Sequence, residues 1–410
     1  MKKALLTILL ALTVFVSVFC CPVQAQTHPW NVCATVVYGG KSYNYNMKNH
    51  LENCPPQVAF LGEKSRWELY KYLQTLPLTE QQIYNYILPN FDDVVRFFAP
   101  MCPTKRDATV TFGGDGFHFC KGNDGVEINQ RKLFESLLAC HNGQTICLPV
   151  VVHKAITLSH LQQTTQLRST FTTEFANSTA QRAHNIALAT QAINGTTVDV
   201  GEQFSFNQVV GKRTEQRGYQ NAKVIVDGAY VDGIGGGVCQ VSTTLYNALL
   251  LAGIVPNAHQ HTLLSHYVLE GFDAMVSDSG ADLTFVNNTD YPLYIQGFVR
   301  NKSVTFNIFG ITNKYTIVRE SVVEVTPFET VEIVDNVKYP HLVYADQTQI
   351  VSNGSNGVKA QSMLKYYLDG KLVDTKLLRK SVYKRVNRVI ARGALPRPNP
   401  DAILPTPLPS

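Results

Sequence analysis

The chain has 410 residues, of which 45% are hydrophobic and 16% charged, and its formal net charge is +5. This composition excludes a disordered polymer, and the regular polar interruptions exclude a protein with many membrane spans. The length predicts two or three folded domains. The charge is too small to indicate nucleic-acid binding, and no nucleic-acid-binding motif accompanies it, so we expect no nucleic-acid partner.

The first 25 residues have the pattern of a secretory signal. Lys2 and Lys3 precede a mostly apolar run from Ala4 to Cys21, and Val23-Gln24-Ala25 supplies the small residues of a cleavage site. An uncleaved membrane anchor is the alternative, because an apolar run of this length can just span a bilayer. In both cases we expect the rest of the chain to lie outside the cytoplasm.

The cysteines form an even cluster with one left over. The cluster consists of Cys33, Cys54, Cys102, Cys120, Cys140 and Cys147. In an exported chain such a cluster predicts three disulfides, although the pairing cannot be deduced. Cys239 is then the odd thiol, and its presence in an oxidising compartment calls for a reason.

The N-terminal region mixes helix and strand signals. Thr79 and Gln82 form a capping box that predicts a helix start, and Pro89 interrupts that helix. The alternating segments ATVTF and GFHFC flank Gly113–Gly116 and predict a hairpin. Asn129 is predicted to cap a helix with one apolar face, made of Leu133, Phe134, Leu137 and Leu138.

This order of elements, followed by the strand-like TICLPVVV, resembles the peptidoglycan-binding domain of bacterial wall enzymes. The resemblance covers about Lys48 to Val152. It implies a disulfide-bearing α+β domain over residues 27–155 that binds peptidoglycan. A spacer domain without a ligand is the alternative, because a fold does not determine a function.

A glycine-rich turn precedes Cys239. Four of the five residues from Gly233 to Gly237 are glycine, and the apolar spacing that follows predicts an amphipathic helix ended by Gly253. Cys239 falls in the first turn of that helix, where the helix dipole favours the thiolate and lowers the thiol pKa. The free amides of the turn and of the first helical turn can hold an oxyanion.

A cysteine nucleophile needs a base, and two histidines follow the helix. His259 and His261 lie on the same face of an extended segment, and Asp282 is a candidate acid to orient an imidazole. The alternative is that Cys239 packs as a small core hydrophobe. We expect no metal site, because outside the cysteine cluster the histidines lack a matching ligand set.

Four blocks in this region resemble a VanW domain over about Val198–Phe309: FSFNQVVGKRTEQRGY, GIGGGVCQVSTTLYNALLLAG, the H-x-H segment and DLTFVNNTDYPLYI. The strands that follow resemble the wall-associated β-module named for its five glycines. The predicted fold class is therefore α+β multidomain, with a central α+β VanW domain over 169–311 and a C-terminal all-β module over 315–393. A Pro-rich disordered tail is predicted over 394–410.

The VanW resemblance implies an activity, because some members act as L,D-transpeptidases through the cysteine of this motif. Cys239 would then attack a tetrapeptide stem of peptidoglycan and form 3-3 cross-links, without a cofactor. His261 or His259 would exchange protons and Asp282 would orient the imidazole. The implied substrate-binding residues are Gly236, Gly237, Gln240, Arg213 and Glu215.

The sequence departs from the family pattern twice, at Asn257-Ala258 and at Phe272, where the family often has arginine. Both departures remove a positive charge near the expected site. They affect the binding of a substrate carboxylate more than the attack by the cysteine. Two other functions stay open: a non-catalytic wall-binding protein, and a cysteine peptidase or amidase that uses water as acceptor.

The expected partners are peptidoglycan stem peptides and glycan, at a secreted, wall-associated location. Anionic wall polymers are a further candidate partner. Between Lys371 and Arg397, nine Lys or Arg residues accompany a single acid, Asp374. Such a run is usually a solvated face, and the alternative is an electrostatic hold on these polymers.

Overall fold

The computed structural model describes residues 32–46, 66–226 and 229–397. The chain divides into two compact units. The first unit contains the residues up to Asp107 together with Gly122–Ala155, and the second contains Ala108–Lys121 together with the chain from Ile156 onward. The predicted signal segment, and the predicted tail beyond residue 397, lie outside the described residues. In the described part, no helix has both the length and the apolar character needed to cross a membrane.

The first unit begins with a hairpin and three short helices: β1 (Cys33–Tyr38), β2 (Lys41–Asn46), α1 (Arg66–Leu73), α2 (Glu80–Ile87) and α3 (Phe91–Phe98). The predicted capping box is confirmed, because the Thr79 side chain accepts from the Gln82 amide and the Gln82 side chain accepts from the Thr79 amide. Pro89 separates α2 from α3, since a proline cannot continue the hydrogen-bonding pattern of a helix.

The predicted hairpin around the Gly-Gly-Asp-Gly turn is also confirmed. Strands β3 (Thr109–Phe112) and β4 (Phe117–Cys120) pair antiparallel, with Phe112 opposite Phe117. The hairpin belongs to the second unit, where both phenylalanine rings pack against the ring of Tyr294 at centroid distances of 5.5 and 5.0 Å. Aromatic burial of this kind fixes the hairpin to the sheet that contains Tyr294.

The first unit is completed by β5 (Gly125–Ile128), α4 (Gln130–Ala139), β6 (Gln144–Cys147) and β7 (Val150–His153). Strand β6 joins β1 in parallel to give the order β2-β1-β6, and β5 pairs with β7. Asn129 caps α4 as predicted, accepting from the Lys132 amide at 3.0 Å. The predicted apolar face is buried in the core of this unit, with the rings of Tyr84 and Phe134 stacked at 4.3 Å.

The predicted disulfides are not found among the described residues. Cys33, Cys102, Cys120 and Cys147 are free thiols; Cys54 lies outside the described residues. On paired strands Cys147 lies opposite Val37, four positions from Cys33, which puts these two cysteines roughly 13 Å apart. The buried Cys140 thiol donates to the carbonyl of Leu137 at 3.1 Å.

The second unit continues through twelve elements: α5 (Leu158–Gln163), β8 (Gln166–Glu174), α6 (Ala180–Ile193), β9 (Thr196–Val198), β10 (Gln203–Ser205), α7 (Phe206–Val210), β11 (Asn221–Val226), β12 (Ala229–Ile234), α8 (Val238–Leu251), β13 (Thr284–Val286), β14 (Leu293–Arg300) and β15 (Ser303–Gly310). Four strands form an antiparallel sheet in the order β8-β15-β14-β9. Helix α6 packs on β14, and α8 packs on β8 and β15. Thus α8, which contains Cys239, is a central element of the unit.

Helix α8 differs from the prediction of an amphipathic helix. Twelve of its fourteen residues are buried, including polar ones. Ser242 donates to the carbonyl of Ala274 at 2.6 Å, and Asn247 donates to the carbonyl of Phe272 at 2.8 Å. These bonds satisfy polar groups that would otherwise be costly to bury. The helix is therefore covered by the sheet on one side and by residues 272–276 on another, and it ends before Gly253 as predicted.

The C-terminal part is all-β: β16 (Thr316–Thr326), β17 (Thr330–Ile333), β18 (Thr348–Ser355), β19 (Gly357–Leu368), β20 (Lys371–Tyr383) and β21 (Val386–Arg392). It forms two three-stranded sheets, β16-β19-β20 and β17-β21-β18. Ile317 of β16 and Leu364 of β19 are buried in the same hydrophobic cluster as helices α6 and α8. The first of these sheets therefore completes the core around α8.

Candidate functional site

The glycine turn before α8 is closely packed. Gly237 has φ +107°, and a Cβ there would lie 2.9 Å from Cγ1 of Ile186 in α6. A Cβ on Gly236 would lie 2.6 Å from the carbonyl oxygen of Lys223. The Gly236 carbonyl itself accepts from the Asn185 side chain at 3.0 Å. Glycine is required here because the backbone approaches its neighbours closely and adopts a left-handed conformation.

Cys239 is the second residue of α8 and is partly buried against the core of the second unit. Its thiol donates to the carbonyl of Val276 at 3.2 Å. Burial raises the pKa of the thiol above its ordinary value, and the charges of Arg213 and Arg182 only partly oppose this rise. The predicted lowering of the thiol pKa is therefore wrong, because desolvation outweighs the helix dipole and the nearby cations.

The segment that contains Val276, whose carbonyl accepts from the Cys239 thiol, also pairs with the segment that contains His259 and His261. His259 and Met275 form an antiparallel bridge, with the Met275 amide donating to the His259 carbonyl at 2.7 Å. The Ala274 amide donates to the hydroxyl of Thr243 in α8 at 3.0 Å. We call residues 257–261 and 272–276 together the histidine ribbon. This ribbon is hydrogen-bonded along helix α8, so it brings the backbone of both histidines to the side of the helix where Cys239 lies.

The two histidines differ in environment. His259 is exposed, whereas His261 is only 4% exposed. Burial lowers the pKa of His261, and the nearby Asp273 carboxylate opposes this effect in part. The Nε2 atom of His261 is buried and has no hydrogen-bond partner among the described residues. The imidazole is therefore neutral at pH 7, with one nitrogen unused.

Asp282 is held away from both imidazoles by other donors. Its carboxylate accepts from the Ser205 hydroxyl at 2.6 Å and from the amides of Asn207 and Leu283 at 2.9 and 2.8 Å. These bonds fix the start of helix α7. The structure thus places Asp282 with the α7 terminus rather than with a histidine.

Asp273 is the carboxylate that lies beside His261. It is 1% exposed, and its Oδ2 accepts from the backbone amide of His261 at 2.5 Å. Its Oδ1 accepts from Arg379 at 2.7 Å and from the Tyr383 hydroxyl at 2.5 Å. The sequence signal for this residue was its position in the Gly271-Phe272-Asp273-Ala274 block, but its partners are far away in the chain.

Gln240 is satisfied within the protein. Its side-chain oxygen accepts from Arg182 at 2.8 Å, and its nitrogen donates to the Thr173 hydroxyl and the Glu174 carbonyl at 3.0 and 2.9 Å. These bonds tie the first turn of α8 to α6 and β8. The geometry therefore gives Gln240 a framework role.

The two predicted substrate-binding residues Arg213 and Glu215 differ in exposure, because Arg213 is buried and Glu215 is exposed. The buried Arg213 donates to Asp278 at 2.5 Å and to the Asn207 side chain at 2.6 Å. Its Cβ also packs on Gly235, at the turn that precedes Cys239. Glu215 is exposed at the start of the 3-10 helix Glu215–Arg217. Of these two, only Arg213 is placed to influence the thiol.

Tyr267 is a neighbour of the site that the sequence did not reveal. Ser265 and Thr243 of α8 lie near its hydroxyl and act to lower its pKa. Burial raises the pKa of Tyr267, and the Cys239 thiolate would raise it further. Since a tyrosine in a loop of mixed composition has no distinctive spacing, no sequence pattern indicated this contact. In the described part of the chain, no three His, Cys, Asp or Glu side chains gather as a metal site.

Comparison with known families assigns both parts of the second unit. Residues 181–309 match the family described as VanW like protein, and residues 317–394 match the G5 domain. The chain therefore carries a VanW-like domain and a C-terminal G5 domain. The first match contains Cys239 and both histidines of the ribbon. G5 domains are associated with cell-wall proteins.

Two curated proteins are similar to this chain. The uncharacterized protein YoaR of Bacillus subtilis (strain 168) is 44% identical over 140 residues, which is 34% of this chain and 46% of YoaR. The vancomycin B-type resistance protein VanW of Enterococcus faecalis (strain ATCC 700802 / V583) is 24% identical over 135 residues, 32% of this chain and 49% of that protein. The chain thus spans about half the length of the curated relatives it matches.

Two solved G5 structures are also similar. The crystal structure of HP0197-G5 is 23% identical and covers 20% of this chain and 100% of that chain, with a TM-score of 0.13. The IgA1 protease G5 domain structure is 15% identical and covers 20% of this chain and 94% of that chain, with a TM-score of 0.15. The assignment of the G5 domain rests on the family match.

Proposed function

We propose that this protein is an exported peptidoglycan L,D-transpeptidase that forms 3-3 cross-links through an acyl-enzyme on Cys239. The observation that carries the proposal is the position of Cys239 at the start of a buried helix, beside the histidine ribbon. The VanW-like domain surrounds these groups, and a G5 domain follows it. A thiol, an unused imidazole nitrogen and free helix-terminal amides are the groups that acyl transfer needs.

In the first half-reaction, the Cys239 thiolate attacks the carbonyl carbon of the third residue of a donor tetrapeptide stem. A C–S bond forms, the C–N bond to the terminal D-alanine breaks, and D-alanine leaves after its amine gains a proton. In the second half-reaction, an amine on a neighbouring stem attacks the thioester. The C–S bond breaks, the new amide forms, and the thiol is restored.

The oxyanion of each tetrahedral intermediate needs hydrogen-bond donors. The Cys239 amide lies at the second position of α8, in the first turn, where a helix offers amides without an intrahelical partner and its dipole favours negative charge. Gly236 and Gly237 allow the turn before this amide to pack closely on its neighbours, which holds the first turn of α8 in place. We therefore assign oxyanion stabilisation to the start of α8.

The raised pKa of the thiol makes a base necessary. His261 fits this role because it is neutral at pH 7 and has an unpartnered Nε2. In the structure the thiol donates to Val276 instead, and no hydrogen bond joins it to either imidazole of the ribbon. The mechanism thus requires the thiol to break its hydrogen bond to Val276 when substrate binds and to form a hydrogen bond to a histidine. Exposed His259 is the second candidate base.

Asp273 replaces Asp282 as the proposed acidic group, since it lies beside His261 and opposes the lowering of its pKa. Arg213 offsets part of the thiol's desolvation. Glu215 stays a proposed contact for a charged group of the stem peptide, because its side chain is exposed. The G5 domain and the first unit are proposed to hold the enzyme on wall polymers, peptidoglycan glycan among them.

The test is muropeptide analysis after incubation of the mature protein with sacculi rich in tetrapeptide stems. A 3-3 dimer that is formed by wild type, and not by the matched variant Cys239→Ser, supports the proposal. Shortened stems without dimers would identify a peptidase that uses water. Unchanged muropeptides with wild type would refute enzymatic action on these stems.

A non-catalytic wall-binding protein is the second candidate. It is favoured by the raised pKa of the Cys239 thiol, caused by burial, and by the bond of the thiol to a backbone carbonyl. In that case Cys239→Ser would bind purified walls as wild type does. Binding without any change in muropeptides would establish this alternative.

A further inference from the structure

Two strands of the G5 domain reach the helix that carries Cys239. Arg319 of β16 donates to the Asn247 side chain in α8 at 2.5 Å. Its guanidinium lies 4.2 Å from the ring centroid of Phe171 and 5.4 Å from that of Phe272. A cation between two aromatic rings with a buried hydrogen bond is a strong, directional contact. The G5 domain is therefore bonded to the VanW-like domain, and its first sheet shares that domain's core.

The second strand, β20, supplies two donors to Asp273. Arg379 donates through Nη2 to the Asp273 carboxylate at 2.7 Å and to its backbone carbonyl at 2.6 Å. The Tyr383 hydroxyl donates to the same carboxylate oxygen and accepts from the Gly271 amide at 2.7 Å. Asp273 is fully buried, and Arg379 is 17% exposed at its side chain. A buried carboxylate of this kind is stable only with such charged and hydrogen-bonding partners.

Asp273 links these donors to the site. Its second oxygen accepts from the His261 amide, and three residues further along the ribbon the Val276 carbonyl accepts from the Cys239 thiol. Between them, Ala274 is bonded to helix α8. A change in the position or charge of Asp273 is therefore transmitted over a few residues to both reacting groups.

We propose that Arg379 and Tyr383 of the G5 domain are positioning residues for the Cys239 site, acting through the Asp273 carboxylate. The G5 domain would then be part of the reactive centre as well as a wall-associated module. The relevance to cross-linking rests on the proposed transpeptidase function. The effect of Arg379 and Tyr383 on the Cys239 thiol does not depend on that function, and it can be measured without substrate.

The charges around the thiol give this proposal a distinctive consequence. Arg213 and Arg182 favour the thiolate, whereas Asp273 disfavours it, and the Tyr267 hydroxyl is the remaining titratable neighbour. Arg379 neutralises Asp273. Without that cation the carboxylate is left uncompensated, which makes the Cys239 thiol harder to ionise.

The experiment measures the rate of alkylation by iodoacetamide as a function of pH, using the full mature chain and peptide mass spectrometry to read each cysteine separately. In Arg379→Gln we expect the midpoint for Cys239 to rise by about half a pH unit or more. Tyr383→Phe should shift it in the same direction by less, and Arg379→Lys should restore much of the wild-type profile. In every variant, Cys120 serves as the internal reference, and its profile should not change.

The matched control is Arg385→Gln, which removes an arginine that pairs with Glu329 at 2.9 Å at the surface of the same domain. It should leave the Cys239 profile unchanged. If Arg379→Gln does not fold, Tyr383→Phe decides the question. An unchanged Cys239 midpoint in the folded variants, even with a lower melting temperature, would show a purely structural role and overturn the proposal. A shifted midpoint together with unchanged muropeptides would instead sustain the positioning role and refute the transpeptidase function.

Discussion

The thiol of Cys239 donates a hydrogen bond to the backbone carbonyl of Val276 over 3.2 Å. This bond uses the proton that a nucleophilic cysteine must lose. Burial raises the pKa of the thiol above its ordinary value. A raised pKa favours the protonated thiol at neutral pH. The proposed acyl transfer therefore needs the thiol to be deprotonated when substrate binds.

The first prediction concerns the reactivity of this thiol without substrate. We expect alkylation of Cys239 by iodoacetamide to be slower at pH 7 in the native chain than in the denatured chain. The rate should reach its midpoint at a higher pH in the native chain, because the native pKa is raised. Peptide mass spectrometry after timed quenching measures this. Faster native alkylation at neutral pH would show a lowered pKa, and it would mean that the helix dipole and the nearby arginines outweigh burial.

The second prediction separates two carboxylates. Asp273→Asn should lower 3-3 dimer formation by about tenfold or more, since it removes the charge beside His261 and the acceptor of Arg379. Asp282→Asn should leave the activity within a few fold, because that carboxylate serves the α7 terminus. Muropeptide quantification at equal folded-protein concentration makes the comparison. The reverse order of the two variants would restore Asp282 as the orienting acid.

The third prediction concerns His261 and stability. Its pKa is lowered in the native state, so below the unfolded pKa of about 6.5 the unfolded chain binds more protons than the native chain does. Stability is then lost as pH falls through this range, by up to about 1.4 kcal/mol per pH unit from this group. In His261→Gln, the free energy of unfolding should depend less steeply on pH between 7 and 5, as measured by denaturant titration.

Exposed His259 provides the control for this measurement. His259→Gln makes the same substitution at an exposed position of the histidine ribbon, so it controls for the loss of a histidine side chain as such. Equal slopes for His261→Gln and wild type would mean that the buried imidazole does not resist protonation.

Local patterns were readable from the sequence, and long-range partners were not. The Thr79 capping box of α2 and the stop of α8 before Gly253 depend on neighbours within a few residues, so spacing predicts them. The contact between Asp273 and Arg379 spans 106 residues and two domains. Such a pair has no local signature. The buried surroundings of α8 were missed for the same reason, since its second face is covered by chain that follows much later.

The basic run of the G5 domain illustrates the same limit. Within the sequence its nine cations accompany one acid. In the structure five of them form ion pairs, and four of these pairs use acids from outside the run: Lys376–Asp374, Arg379–Asp273, Arg385–Glu329, Arg392–Glu332 and Arg397–Asp346. The charge available to an anionic polymer is therefore smaller than the composition indicates.

The fourth prediction concerns the shared core. A chain ending at Ile311 should lose its cooperative thermal transition, because it lacks Ile317 and Leu364, which are buried against α8's cluster. In the full chain, Leu364→Ala should cost about 2–5 kcal/mol, whereas Leu372→Ala, at a site 50% exposed on β20, should cost far less. Calorimetry and denaturant titration measure both. A truncated chain that melts cooperatively would show that the VanW-like domain folds without the G5 domain.

The fifth prediction concerns wall binding by the cations that the ion pairs leave available. Lys371, Lys380 and Lys384 are exposed, and their side chains have no ion pair with any described residue. Replacing all three with glutamine should lower pulldown on purified cell walls several-fold at 0.1 M salt. The wild-type protein should lose binding at 1 M salt, because the Debye length falls from about 10 Å to about 3 Å. The triple variant should show a weaker salt dependence, since fewer cations contribute.

A control that replaces three exposed lysines of the first unit, Lys41, Lys71 and Lys132, keeps the same net charge change. If both triple variants bind equally well at low salt, the exposed cations of the G5 domain are only a solvated face, and adhesion to the wall depends on other surfaces.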